Sequence, residues 1–383
     1  MCGATTYLVE IEDPHLKLHT LQLLQVTLRL QPLFKRSLTY IPQNDTDLAD
    51  KALNFGNQHE FADIRWYPAQ RMAIYRIDDR VPVNTTGNGV YDMIGLRSVP
   101  TSVVALVRST EETTEATSNA DGKCADALSS TSAAATANFG LTNDGLLFTG
   151  YPVIGFQNQM QSSGSCLSSP EDGLITACAW DPRFKGSFFQ QSTVSIGLSK
   201  VKDFILDIQK LRDLQPKSLC NVELYDGILM RYIKASTAYL GKQEDAIDFD
   251  ITYYRSRDPM SPRLYEDVLE EIEQMALIKY GGIPHWGKSR NVAFDGVISK
   301  FSKRSEFLKV KDAYDPSGLF SNEWTDQILG IRGRTSIFKK GCALEGLCIC
   351  SEDTHCAPEK GYFCRQGKVY TEARVCTALA MKN

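Results

Sequence analysis

Two short stretches carry the residue types that redox or acid–base chemistry needs. The first is Gly281-Gly282-Ile283-Pro284-His285-Trp286-Gly287-Lys288-Ser289-Arg290-Asn291. It gathers an imidazole, an indole, an ammonium and a guanidinium just after a glycine pair that stops a helix. Loops on a rigid scaffold are where binding groups concentrate. Lys288 could stabilise a developing oxyanion or the negative charge of a reduced cofactor. His285 could exchange a proton or hold a hydroxyl. The plain alternative is a surface loop anchored by Trp286, with its lysine in water. The second stretch is Asp248-Phe249-Asp250-Ile251-Thr252-Tyr253-Tyr254-Arg255. Strand alternation puts Phe249, Ile251 and Tyr253 on one face and Asp248, Asp250, Thr252 and Tyr254 on the other. In a closed cavity Asp250 would be partly desolvated and could act as a base toward a hydroxyl. On a wet edge strand it would be a solvated acid.

The elements that must hold these residues read as an α+β fold, an antiparallel sheet covered by helices. Strands are expected at Gln25 to Leu30, Arg36 to Ile41, Phe61–Tyr67 and Met72–Ile77, with a helix capped at Asp45 or Thr46 and running to about Asn57. Val194, Ile196 and Leu198 alternate as a strand, and Val201, Phe204, Ile205, Ile208 and Leu211 follow at helical spacing. Cys220–Ile233 and Ile247–Arg255 read as strands. Ser261-Pro262 reads as the cap and first residue of a helix whose stripe is Leu264, Val268, Ile272 and Met275. Its acids Glu266, Asp267, Glu270, Glu271 and Glu273 are expected to face water, and Gly281-Gly282 to end it. Residues 109 to 138 lack aromatics and are rich in Ser, Thr and Ala. They read as a mobile excursion with at most one weak helix.

Composition bounds the function. The chain has 383 residues, 43% of them hydrophobic, with a formal charge of −4. It is long enough for one large domain or two smaller ones. Mild acidity argues against a nucleic-acid groove, and no apolar run is long enough for a spanning helix. Phosphate loops, dinucleotide fingerprints, zincin motifs and nucleophile elbows are missing from the sequence. There are 11 cysteines, and Cys342, Cys348, Cys350, Cys356, Cys364 and Cys376 crowd the tail. That tail reads as a disulfide framework, with zinc the weaker alternative because no C-x-x-C pair occurs and His355 is the one imidazole nearby. Cys124, Cys166, Cys178 and Cys220 could form two more bridges or be small buried hydrophobes. The N-terminus does not read as a secretory signal, although a disulfide tail calls for an oxidising compartment.

Longer stretches carry a resemblance. VTLRLQPLFKRSLTY, HEFADIRWYP, GLITACAWDPR, DFDITYYRSRDP, GGIPHWGKSRNVAFDGV and GCALEGLCICSEDTHCAP are similar to the distal two-thirds of plant L-gulono-1,4-lactone oxidases, aldonolactone oxidases of the vanillyl-alcohol-oxidase type of flavoprotein. The resemblance covers nearly everything after about residue 20. It implies an FAD domain followed by a cap domain over the isoalloxazine ring. In such enzymes the hydroxyl carbon of a sugar lactone gives a hydride to FAD, O2 then takes the electrons, and the product is L-ascorbate or an analogue. The FAD domain's Gly-rich loop has no counterpart here, so the chain resembles a truncated member. Residues 1–31 would be a remnant of the FAD domain, 32–335 the cap with its excursion at 109–138, and 336–383 the Cys-rich tail.

By the same resemblance Lys288 would sit at the flavin's pyrimidine end, as a catalytic and cofactor-binding residue, with His285 lining the pocket. Asp250 falls where related alditol oxidases have a glutamate contacting the reacting hydroxyl, and Thr252 where they have an arginine. Thr252, Tyr254, Trp286 and Arg290 would bind substrate. The implied partners are a sugar lactone, O2 and a possible flavin-domain partner. The implied location is the mitochondrion or a secretory, membrane-associated compartment. The alternative is a non-catalytic cap protein, either a pseudoenzyme or a partner-binding module.

Overall fold

The computed structural model describes residues 31–160, 166, 176–178 and 189–379; the expected strand Gln25 to Leu30 and all but the last residue of the segment 1–31 assigned to an FAD domain lie outside them. In chain order the main elements are β1 (Lys35–Asn44), α1 (Leu48–Gln58), β2 (Asp63–Tyr67), β3 (Met72–Val81), α2 (Thr101–Ala116), α3 (Ala120–Thr136), β4 (Val153–Phe156), β5 (Phe189–Gly197), α4 (Leu198–Leu214), β6 (Ile228–Ile233), β7 (Ala246–Tyr254), α5 (Glu266–Gln274), β8 (Ile283–Pro284), β9 (Tyr362–Gln366) and β10 (Arg374–Ala378). Eight strands form one sheet in the order β8-β5-β7-β6-β2-β3-β1-β4, and each neighbouring pair is antiparallel. This is the expected α+β class, with a separate β9–β10 hairpin in the tail.

The sheet has two unlike faces. Residues directly opposite across a ladder share a face. Phe249, Val194, Met230 and Ile64 therefore lie together, and they pack with Leu48, Ala52 and Phe55 of α1 and Phe204, Ile205 and Ile208 of α4 in the main core. The opposite face carries charge. Asp248 faces Arg231, Arg231 faces Asp63, and Asp63 faces Arg76, a row of alternating sign across β7, β6, β2 and β3. Opposite charges in register favour that pairing, and a one-residue slip would drive the charges into the core.

Several local expectations are corrected. Cys220–Ile233 is not one strand: Cys220–Glu223 is a helical turn, and Asp226 and Gly227, both at φ 75°, reverse the chain before β6. Leu198 opens α4 instead of ending β5. Residues 109–138 are not an irregular excursion but most of a two-helix hairpin, α2 and α3. Alanine-rich composition favours helix, and buried Lys123 lies 2.6 Å from Glu115 and 3.3 Å from Glu111. A Cys124–Cys220 disulfide ties α3 down.

The acidic helix departs most from expectation. It begins at Glu266, not at Ser261-Pro262, because the Ser261 hydroxyl donates to Asp258 in a local turn (2.9 Å). Every residue of α5 is buried. Its apolar stripe meets the core; Glu266 and Glu273 pair with Arg263 and Arg290, and its other three acids meet the Cys-rich tail, not water. Glu271 accepts the backbone N–H groups of Lys368, Val369 and Tyr370, Glu270 that of Cys376 (2.6 Å), and Asp267 pairs with Lys368 (2.5 Å). The tail closes through Cys342–Cys348, Cys350–Cys364 and Cys356–Cys376, and Cys166–Cys178 is a fifth bridge.

Candidate active site

The structure joins Lys288 to Asp250. Asp250 sits mid-strand on the charged face of β7, directly opposite Thr193 of β5 and Leu229 of β6. Its carboxylate is only 5% exposed. Lys288 Nζ lies 2.7 Å from Oδ2 and Arg231 3.2 Å from the same oxygen, while Gln191 Nε2 donates to Oδ1 at 2.8 Å. An ionised carboxylate has about four acceptor positions. Three donors occupy three of them, and one is left for a ligand hydroxyl. Neighbouring Asp248 is held by the Ser195 hydroxyl.

How Lys288 reaches Asp250 follows from the path of its loop. Gly281, at φ 64°, ends the helical run. A side chain on Gly282 would meet Val194 at 2.5 Å and the Ala276 carbonyl at 2.7 Å, so only glycine lets the chain lie this close to β5. Lys300 donates to the carbonyls of Leu277 and Gly282 at 2.7 and 2.6 Å; burial and nearby Lys200 lower its ammonium to about 8. β8 then pairs along the edge of β5, the His285 N–H donates to the Thr193 carbonyl (2.8 Å), and the Gly287 N–H donates to His285 Nδ1 (3.1 Å). With Nδ1 accepting, a neutral His285 carries its proton on Nε2.

The loop turns about the sheet edge, so its side chains separate. Trp286 stacks on Phe294 and Phe301 at 6.0 and 5.9 Å, an anchor in the core. Arg290 goes to the other face. It is buried against Glu273 and lies 5.8 Å over the Tyr253 ring, and Tyr253 alternates away from Asp250. Thr252 follows Asp250 on the charged face and stands opposite Gln191. Tyr254, on the same face, is roofed by the α2–α3 hairpin, with Lys123 and Arg108 4.9 and 5.4 Å over its ring; burial raises its phenol. Lys288, Asp250 and Thr252 thus share one place, whereas Trp286 and Arg290 turn toward the core and Tyr254 is covered.

Arg231 and Gln191 are the site residues that sequence reasoning missed. An arginine does meet the carboxylate, but from the adjacent strand and not from two positions further along. The one sequence signal is the single polar residue in ILMRYI. The face also holds unspent donors: Arg231 Nε, Arg65 Nε and Thr193 Oγ1 are buried without hydrogen-bond partners. Fixed cations and spare donors beside a closed carboxylate suit a polar, oxygen-rich ligand and the heterocyclic edge of a flavin. Among the described residues no Gly-rich loop offers a cradle for a dinucleotide's phosphates.

Comparison with known proteins assigns the class. The D-arabinono-1,4-lactone oxidase family profile matches residues 187–328, which run from just before β5, through the Lys288 loop, to the end of the helix Glu323–Ile328. The profile of the L-gulonolactone oxidase 2-like C-terminal domain matches residues 339–378, the Cys-rich tail. The chain is 63% identical over 353 residues to probable L-gulonolactone oxidase 6 of Arabidopsis thaliana, covering 92% of this chain and 58% of that one. It is 62% identical over 353 residues to L-gulonolactone oxidase 2 of the same plant, covering 60% of that protein. To a protein named probable truncated L-gulonolactone oxidase 7, mitochondrial, it is 63% identical over 233 residues, which are 92% of that chain. The protein belongs to the plant L-gulonolactone oxidase family and spans about three-fifths of the length of its full-length relatives. Among the described residues no helix is long and apolar enough to cross a membrane.

Proposed function

We propose that this chain is the substrate-binding cap of an aldonolactone oxidase, taking L-gulono-1,4-lactone or a close relative toward L-ascorbate with FAD and O2. The observation that carries the reading is the 2.7 Å pair of Lys288 and Asp250 on a buried polar sheet face. Asp250 accepts the proton of the lactone hydroxyl at its remaining acceptor position. Arg231 and Gln191 fix the plane of the carboxylate so that this position points one way. Lys288 holds the adjacent oxygen in place and supplies a cation where negative charge gathers. Thr252 flanks the sugar. Bound FAD would supply the two-electron acceptor for the carbinol hydrogen. Its ring edge would meet Lys288 and the spare donors of Arg231 and Thr193, and its phosphates would be held outside the described residues.

Adding FAD and L-gulono-1,4-lactone to the full chain tests this through peroxide release. Asp250→Asn should cut turnover about a hundredfold or more, as loss of a general base does. Full turnover in that variant would overturn the assignment. A second reading is a non-catalytic cap that binds lactone or a partner chain. Saturable lactone binding with no peroxide would support it. Five disulfides favour an oxidising compartment, and the name of the truncated relative favours the mitochondrion. Fractionation with a redox-blocked thiol count would separate the two.

A further inference from the structure

The loop bearing Lys288 is gripped at both ends. On the sheet side, His285 N–H and the Ser289 hydroxyl both donate to the Thr193 carbonyl, at 2.8 and 3.2 Å. On the other side the grip comes from the Cys-rich tail and the segment leading to it. Asn291 Nδ2 donates to the Thr335 carbonyl (2.7 Å), and the Thr335 hydroxyl returns a bond to the Asn291 carbonyl (3.0 Å). The Val292 N–H donates to the Gly346 carbonyl (3.1 Å). Arg290 pairs with Glu273 of α5 and points its other nitrogen at the Leu344 carbonyl (3.5 Å). Leu344 and Gly346 lie inside the small ring closed by Cys342–Cys348. Gly346 stands at φ 62°, and a β-carbon there would come within 2.3 Å of Arg290 Nε, so the ring and the guanidinium fit with no room for a methyl group.

We propose that the Cys342–Cys348 ring is a positioning device for Lys288, acting through Arg290. The ring and α5 fix Arg290 on one side of the sheet edge, two residues beyond Lys288. Thr193 fixes the loop on the other side. Between these clamps the ammonium has one comfortable place, against Asp250. The tail in turn is seated on α5 by the N–H groups that Glu270 and Glu271 accept, so its disulfides set the geometry of a site they do not touch. Arg290 is thus a positioning residue, not a substrate ligand. The inference builds on the proposed role of the Lys288–Asp250 pair, but its test needs neither flavin nor lactone.

Amine acylation of the full chain, read residue by residue by peptide mass spectrometry across a pH series, provides the test. Exposed Lys210 is the reference, and buried Lys123 and half-buried Lys300 report unfolding. Gly346→Ala and the Cys342→Ser/Cys348→Ser double variant should speed acylation of Lys288 about fivefold, the factor matching loss of one partly exposed ion pair. Arg290→Gln should do the same and Arg290→Lys less. Asp250→Asn should match the effect, and adding Gly346→Ala to it should bring no further rise, because both remove the same contact. An unchanged Lys288 rate in Gly346→Ala and in the serine double variant overturns the proposal. So does a rise shared equally by Lys123 and Lys300, since that would be loss of fold and not of aim.

Discussion

Charge accounting on α5 leads to a prediction opposite in sign to intuition about acidic residues. Arg263 pairs with Glu266 and Arg290 with Glu273. Asp267 pairs with Lys368, which leaves two acids without a cation: Glu271 accepts three backbone N–H groups, whereas Glu270 accepts from the Cys376 N–H, its Oε1 has no partner, and Arg374 directs its guanidinium to the Cys364 carbonyl. Burial first and Glu266 second raise its carboxyl from 4.5 to about 8. For an acid raised in the folded state, the stability is whole below the ordinary value and is lost as pH climbs toward the raised one. A tenfold change in proton affinity corresponds to about 1.4 kcal/mol, so the ceiling is about 5 kcal/mol. Relaxation of the surroundings and water penetration should leave about 2 kcal/mol of it.

Glu270→Gln keeps the acceptor for Cys376 and discards the charge. The variant and the parent should therefore be equally stable near pH 4.5. Above pH 8 the variant should be more stable by about 2 kcal/mol, worth a few degrees of melting temperature in a chain of this size. Thermal unfolding of both chains in a pH series measures this, and the difference between the curves cancels the titrating groups that do not interact with Glu270. A difference that does not grow between pH 4.5 and 8, or one favouring the parent at high pH, would refute the reasoning.

Two further outcomes follow from the α2–α3 hairpin. Lys123→Met should destabilise the protein by about 3 kcal/mol, because it leaves Glu111 and Glu115 buried without their cation; denaturant titration at neutral pH measures it, and a neutral result would mean water already reaches those acids. Cys124→Ser with Cys220→Ser opens a loop spanning 96 residues of sequence and should cost roughly 2–4 kcal/mol, with the first new tryptic cuts falling in residues 101–136.

The sequence showed most of the sheet because strands with one buried face keep a two-residue period, as at Phe249, Ile251 and Tyr253. It also brought out Lys288 and Asp250, one by its glycine-flanked loop and the other by that same alternation. It could not show that they meet, since β8 pairs with β5 across the width of an element and not along the chain. Arg231 and Gln191 stayed hidden for the same reason: register decides which side chains stand together. The acids of α5 looked solvated because the surface that covers them contains few apolar residues. It offers backbone N–H groups instead, and composition does not reveal which of those are free to donate. The Ser/Thr/Ala stretch misled in a similar way. Its helices are held by a buried lysine, a disulfide and polar contacts such as Tyr225 with Glu111 and the Leu264 N–H with Glu115, not by a broad hydrophobic stripe.

The central claim is that Asp250, held by Lys288, receives the hydroxyl of a sugar lactone. Calorimetric titration of L-gulono-1,4-lactone into the full chain tests it without any flavin. The account predicts saturable binding that weakens at least about tenfold in Asp250→Asn and in Lys288→Met, the loss of about 1.4 kcal/mol expected when one partner of a charge-assisted hydrogen bond is removed. Equal affinity in all three chains would contradict it.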